Sequence, residues 1–137
     1  MGLTGRIHPL IVHFPIALVI VAAAAEGVAI STGDARWRAV AVINVRVAAV
    51  CAVVAAIAGW QLGSGVQLTA LLEWHRWLGV TAAVTTVSAA IASVRFAPWP
   101  SYLLWIYRVA LFCAALSVAA TGHSGGLLVW GADFLRF

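Results

Sequence analysis

The sequence predicts an all-α protein: an integral membrane, up-down four-helix bundle forming one domain over residues 1–137. Three observations predict it. Of the 137 residues, 64% are hydrophobic and 9% charged, with a mean hydropathy of +1.06, far beyond the roughly 45–50% apolar content of soluble domains. Four apolar segments each reach the ~20 residues that a helix needs to cross a ~30 Å hydrocarbon core. Trp37, Trp60, Trp74, Trp77, Trp99 and Trp130 fall at or near the ends of those segments, where indole rings favour the headgroup zone.

The first span covers about residues 7–30 and is ended by the polar run Ser31, Thr32, Gly33, Asp34. Its four alanines at 22–25 imitate a signal-peptidase site, but the segment is read as a retained span. The second covers about 37–60 and gives way to Gln61, Leu62, Gly63, Ser64 and Gly65. The third covers about 70–96 and stops at Pro98 and Pro100, which a helix interior does not tolerate. The last covers about 101–121 and ends where Gly122, His123, Ser124, Gly125 and Gly126 follow.

Short connections make the spans alternate in direction. The starts of the first and third and the ends of the second and fourth then share one face, A; the other ends share face B. Arg6, Arg76 and Arg136 flank face A, while Arg36, Arg38 and Arg95 flank face B, with Arg46 and Arg108 entering their helices from the B side. The balance tips toward a cytoplasmic face B and a periplasmic face A. The eight arginines against four acids give a net charge of +4 and a pI near 10.1. Because they are scattered between apolar runs, topology and anionic headgroups account for them, and nucleic acid is not expected as a partner.

His8, His13, His75 and His123 are the only histidines, and the topology carries all of them to face A. His13 and His75 each lie about five residues inside a predicted helix start, so about 7–8 Å deep at 1.5 Å per residue. In a four-helix ring the first and third helices are diagonal partners, which lets these two imidazoles face each other across the core. Bundle cores hold haem and metal sites, and a haem needs two axial nitrogens and a flat slot. Ala17, Gly79, Ala55, Ala56, Gly59, Ala119 and Ala120 supply small side chains at comparable depths. His8, before Pro9, and His123, after Gly122, lie shallower, and Arg6 and Arg76 stand near that face as partners for haem propionates.

Residues 8–17, HPLIVHFPIA, and residues 122–129, GHSGGLLV, resemble the HPLxVHFPIAL and GHxGGxLV motifs of a widespread bacterial membrane domain family of unknown function. His75 falls where that family has its third-helix histidine. The resemblance covers essentially the whole chain. It brings over His8, Pro9, His13, Pro15, His123, Gly125 and Gly126 by motif, and His75 by position. Members of the family occur alone or joined to Rieske or cytochrome c modules, which implies electron transfer and haem b, without deciding which histidines ligate.

The expected function is therefore relay of electrons in the bacterial inner membrane through a bis-histidine haem b. His13 and His75 are the expected axial ligands, His8 and His123 shape the site, and quinone, a partner redox subunit or a homo-oligomer would exchange the electrons. Two other classes compete. One is direct binding or transport of copper, zinc or non-haem iron by the four imidazoles; the other is an accessory subunit of a larger membrane complex. The chain has no Walker A loop, GxGxxG or HExxH, so nucleotide use has no support.

Glu26, Arg46 and Arg108 fall inside spans, where an unpaired ion is costly, and are expected to form a network on the B half. Glu73 is expected to sit beside Arg76, three residues on. Cys51 and Cys113 are isolated, outside any CxxC, and read as small apolar residues. Gly59 and Gly63 form a GxxxG that permits close helix contact.

Overall fold

A computed structural model describes residues 7–94 and 100–131, and every element among them is helical. A single turn, α1 (His8–Ile11), leads into α2 (His13–Thr32), followed by α3 (Ala35–Gly63), α4 (Ala70–Ala92) and α5 (Ser101–Trp130). The step between α1 and α2 at Val12 follows from Pro15, which has no N–H to give to the Ile11 carbonyl. The next bond, from Ile16 N–H to Val12 O, is stretched to 3.4 Å.

α2 and α3 are joined by a two-residue turn. Gly33 takes the left-handed conformation at φ +71° and returns its N–H to Ala29 O at 3.0 Å, closing α2; the missing Cβ makes that conformation inexpensive. Asp34 then caps α3 by accepting from Arg36 N–H at 2.9 Å, satisfying a donor that has no partner within the helix. The same arginine's side chain is bonded to the Asp34 carboxylate, which holds that group below the usual carboxylate range. Thr69 caps α4 in the same way through Leu72 N–H.

Two helix ends depart from expectation. α4 stops at Ala92, with Ser93 folded back onto the Ala89 and Ala90 carbonyls; the expected end at Phe96 lies outside the described residues. α5 runs on through Gly122, Gly125 and Gly126 to Trp130 instead of ending at Thr121. Glycine costs a helix only about 1 kcal/mol relative to alanine, and away from water the backbone has no other partner for its hydrogen bonds.

Three helices are long and apolar enough to cross a bilayer: the joined α1–α2 segment His8–Thr32, α3 and α5. α4 falls short among the described residues, because its first two turns carry Glu73, His75 and Arg76. The long helices pack in chain order, and α2 closes on α5. The interior is made of small side chains: Ala22, Ala25, Ala41 and Ala89 surround Tyr107 and Leu111, while Val19, Ala48, Ala82 and Ala114 form a second layer. Such residues let helix backbones approach closely where lipid removes the hydrophobic drive to associate. Large apolar side chains point outward instead, Leu116 at 74% exposure and Val50 at 68%, as expected of surfaces that meet acyl chains.

Candidate functional site

Polar side chains between helices gather at the two ends of the bundle. At one end, His8 of α1 reaches α3, its Nδ1 lying 2.9 Å from Ala55 O. A carbonyl only accepts, so Nδ1 carries the proton and Nε2 keeps a lone pair. The ring lies directly on Gly59, where a Cβ would stand 2.6 Å from its Cε1. Gly59 is thus the position that admits the imidazole.

His75 of α4 reaches α5 in a parallel way. Its Nδ1 lies 2.9 Å from Ser124 Oγ, and that hydroxyl gives its one proton to Thr121 O at 3.0 Å. Ser124 therefore accepts from His75, which fixes the same tautomer as in His8. The ring rests against Gly125, where a Cβ would stand 3.1 Å from Cε1. The two half-buried imidazoles lie within electrostatic range of each other, and no described residue bonds the Nε2 of either.

Arg76, the residue after His75, lays its guanidinium over Trp60 at 4.9 Å from the ring centroid and donates to Trp60 O at 3.2 Å. Gly63 leaves room for it, since a Cβ there would meet Arg76 Nε at 2.8 Å. Trp77 completes the cluster edge-on to Trp60, with centroids 6.1 Å apart. Arg76 Nε is buried with no hydrogen-bond partner among the described residues, and no described carboxylate pairs with the guanidinium. Glu73, the expected neighbour, is exposed in the first turn of α4. The GxxxG of Gly59 and Gly63 admits side chains from two other helices, one at each glycine.

Of the expected His13–His75 pair, His75 is half-buried against α5, whereas His13 is exposed. His8 lies in α1 and His13 opens α2 beyond the step at Val12, and the two take different environments, His8 half-buried and His13 exposed. His123 is exposed as well, beside its buried neighbour Ser124. Among the described residues no group of three or more His, Cys, Asp or Glu side chains is placed to hold a metal ion, so the four-imidazole centre for copper, zinc or iron is not assembled there. Arg6, the other expected propionate partner, lies outside the described residues.

Residues 122–126 also spell GxSxG, the pattern of a hydrolase nucleophile elbow. That role needs a sharp strand-to-helix turn, whereas here the five residues lie inside α5 and Ser124 is buried. The groups whose role the sequence left unread, Ser124 within the closing motif and the Ala55 carbonyl of α3, are those that orient the two rings. Only the placing of a hydroxyl between the glycines of the closing motif pointed toward the first.

The opposite end holds the charges. Glu26, wholly buried, accepts from Arg108 Nε at 2.9 Å and from Arg38 Nε at 3.2 Å. The expected partner Arg46 instead closes the end of α4, bonding Ser93 Oγ at 2.9 Å and the Ser93 carbonyl. Arg38 takes its place because the tight turn at Gly33 and Asp34 folds the start of α3 back against the end of α2. Cys51 is half-buried and Cys113 exposed, both as free thiols.

Helices of this length and apolarity, with their ion pairs and imidazole contacts set toward the two ends, are those of a multi-pass membrane protein. The chain belongs to the predicted membrane protein family DUF2231, which it matches over residues 5–134. No curated protein and no solved structure matches it significantly.

Proposed function

We propose that this protein carries electrons in the bacterial cytoplasmic membrane through one haem b held by His8 and His75. The observation that carries the reading is the shared state of the two rings: each commits Nδ1–H to an acceptor on a neighbouring helix and keeps Nε2 without a described partner. Metal-bound histidine is held in this way, the second nitrogen donating to a carbonyl or another acceptor so that the ligating one is fixed in direction and basicity. Bound haem supplies a one-electron carrier. The chain's own residues hold and orient it: the Ala55 carbonyl and Ser124 set the rings, Gly59 and Gly125 give them room, and the buried Nε of Arg76, without a hydrogen-bond partner among the described residues, offers a donor and a positive charge to a propionate. His8 replaces His13 in the expected pair; His13 and His123 remain at the rim of the same end.

In this reading all four long helices cross the bilayer as an up-down bundle. α4 packs against both α3 and α5, and its charged residues are confined to its first two turns, at the membrane boundary. The imidazole end faces the periplasm, where quinone at the interface, a partner redox subunit or a second copy exchanges electrons with it.

The test is the visible spectrum of the protein purified from haem-replete cells. Sharp Soret and α bands on reduction are expected, lost in His8→Ala and in His75→Ala and kept in His13→Ala and His123→Ala. A colourless protein, or bands that vanish with His13 and survive the loss of His8, refutes the assignment.

A further inference from the structure

The charged end carries a second site. Arg38 and Arg108 both bond Glu26 through Nε alone, so their terminal amino groups have no hydrogen-bond partner among the described residues. Two guanidinium groups face one carboxylate, leaving the cluster one positive charge in excess. Neither arginine is sealed in: their side chains keep 27% and 17% exposure. Arg108 also lines a groove of about 320 Å³ that is otherwise almost wholly apolar, formed by Ile30 near the end of α2 and by Val109, Phe112 and Leu116 along α5. The groove follows steps of about one helical turn from Arg108 to Leu116, and so runs lengthwise along α5 from the charged end toward the middle of the protein. Trp105 borders it, its ring 5.8 Å from the Arg108 guanidinium carbon.

We propose that this groove binds an anionic phospholipid, its phosphate on the terminal amino groups of Arg108 and the start of one acyl chain against Phe112 and Leu116, with Arg38, on the other side of Glu26, adding positive charge beside the groove. A ligand that fits must be negative at one end and apolar along the helix axis, which is how a phospholipid lies in a leaflet; basic pockets at helix ends attract such headgroups. A second copy of this chain does not answer the charge. The described acids at this end are Glu26 and Asp34, and both are already paired, Glu26 with these arginines and Asp34 with Arg36.

Trp105 reports on the groove. The protein is reconstituted in phosphatidylcholine vesicles containing a minor fraction of brominated-chain phosphatidylglycerol or, separately, brominated-chain phosphatidylcholine. The Trp105 contribution to quenching is isolated by comparison with Trp105→Phe. Phosphatidylglycerol should quench Trp105 about fivefold more effectively at equal mole fraction, the gain that one basic residue near a membrane surface provides. Arg108→Gln should remove the preference. So should Cys113→Phe, which fills the groove from an exposed position and leaves the ion cluster untouched, so the test does not depend on Arg108→Gln folding. Equal quenching by the two lipids, protection from both by a second copy seated on the groove, or a preference that survives Cys113→Phe overturns the proposal.

Discussion

Arg76 stacks on Trp60 and donates to its carbonyl at 3.2 Å, so one side chain ties the start of α4 to the end of α3. The Trp60 carbonyl belongs to the last turn of α3, where the helix dipole favours a cation. The contact closes the end of the protein at which His8 and His75 lie.

Arg76→Lys should weaken this junction, because an ammonium lacks the flat face that stacks on indole. A loss of about 1 kcal/mol is expected in detergent unfolding, the scale of one cation–π contact. If haem is held as proposed, Arg76→Gln should also lower its midpoint potential, since the substitution removes a positive charge that favours the reduced form. A potentiometric titration that finds no shift would place Arg76 away from the cofactor.

Gly59→Ala should be harsher than Gly125→Ala. The added methyl would stand 2.6 Å from the His8 ring, against 3.1 Å from His75 at the other position. Overpacking of this kind costs about 1–3 kcal/mol. Gly59→Ala should lose both stability and the haem bands, whereas Gly125→Ala should keep most of each, as read by thermal unfolding followed in the Soret region.

Ser124→Ala leaves His75 Nδ1–H without its hydroxyl acceptor and holds the ring less firmly, with the Thr121 carbonyl as the polar group left beside it. Loss of a partner behind a ligating histidine lowers affinity by about 10–100-fold. Haem titration of the apoprotein should show that loss, with far-ultraviolet circular dichroism unchanged.

Glu26→Gln removes the carboxylate that holds Arg38 and Arg108 together. Breaking one side of a buried ion pair costs about 3–5 kcal/mol, and the partial exposure of the two arginines sets the expectation at the lower end. The variant should unfold at distinctly lower denaturant while its haem bands, set at the opposite end, stay unshifted in the fraction that folds.

Asp34→Ala removes the cap of α3 and should lower the thermal midpoint at neutral pH. Arg36 holds the Asp34 carboxyl below its ordinary value of 3.8, so the cap contributes fully above that value and is lost as pH falls through the lower, folded-state value. The gap between wild type and variant should therefore close only in strong acid, in a series of melts from pH 7 downward.

Much of the architecture was legible because membrane helices announce themselves by length and apolarity. The polar run at 31–34 marks the end of the first span, and the structure adds how it turns, through a left-handed Gly33 and a capping Asp34. The end of α5 could not be read: residues 122–126 look like a loop in water, yet Gly122, Gly125 and Gly126 sit within a helix whose packing makes room for His75. Arg38 was read as a flanking charge because its pairing with Glu26 arises only when the hairpin closes.

The sequence by itself determined that this protein lives in a membrane and that its histidines and buried charges lie toward opposite ends, because hydropathy and alternation depend only on chain order. Which imidazoles turn inward was decided by tertiary structure. Pro15 interrupts the hydrogen bonding of the first helix near Val12, Gly59 and Gly125 open places on the neighbouring helices, and the helix faces presented there leave His8 and His75 half-buried while His13 and His123 are exposed. A rotational phase of this kind is set by contacts between helices, and in segments apolar on every side no pattern along the chain records it.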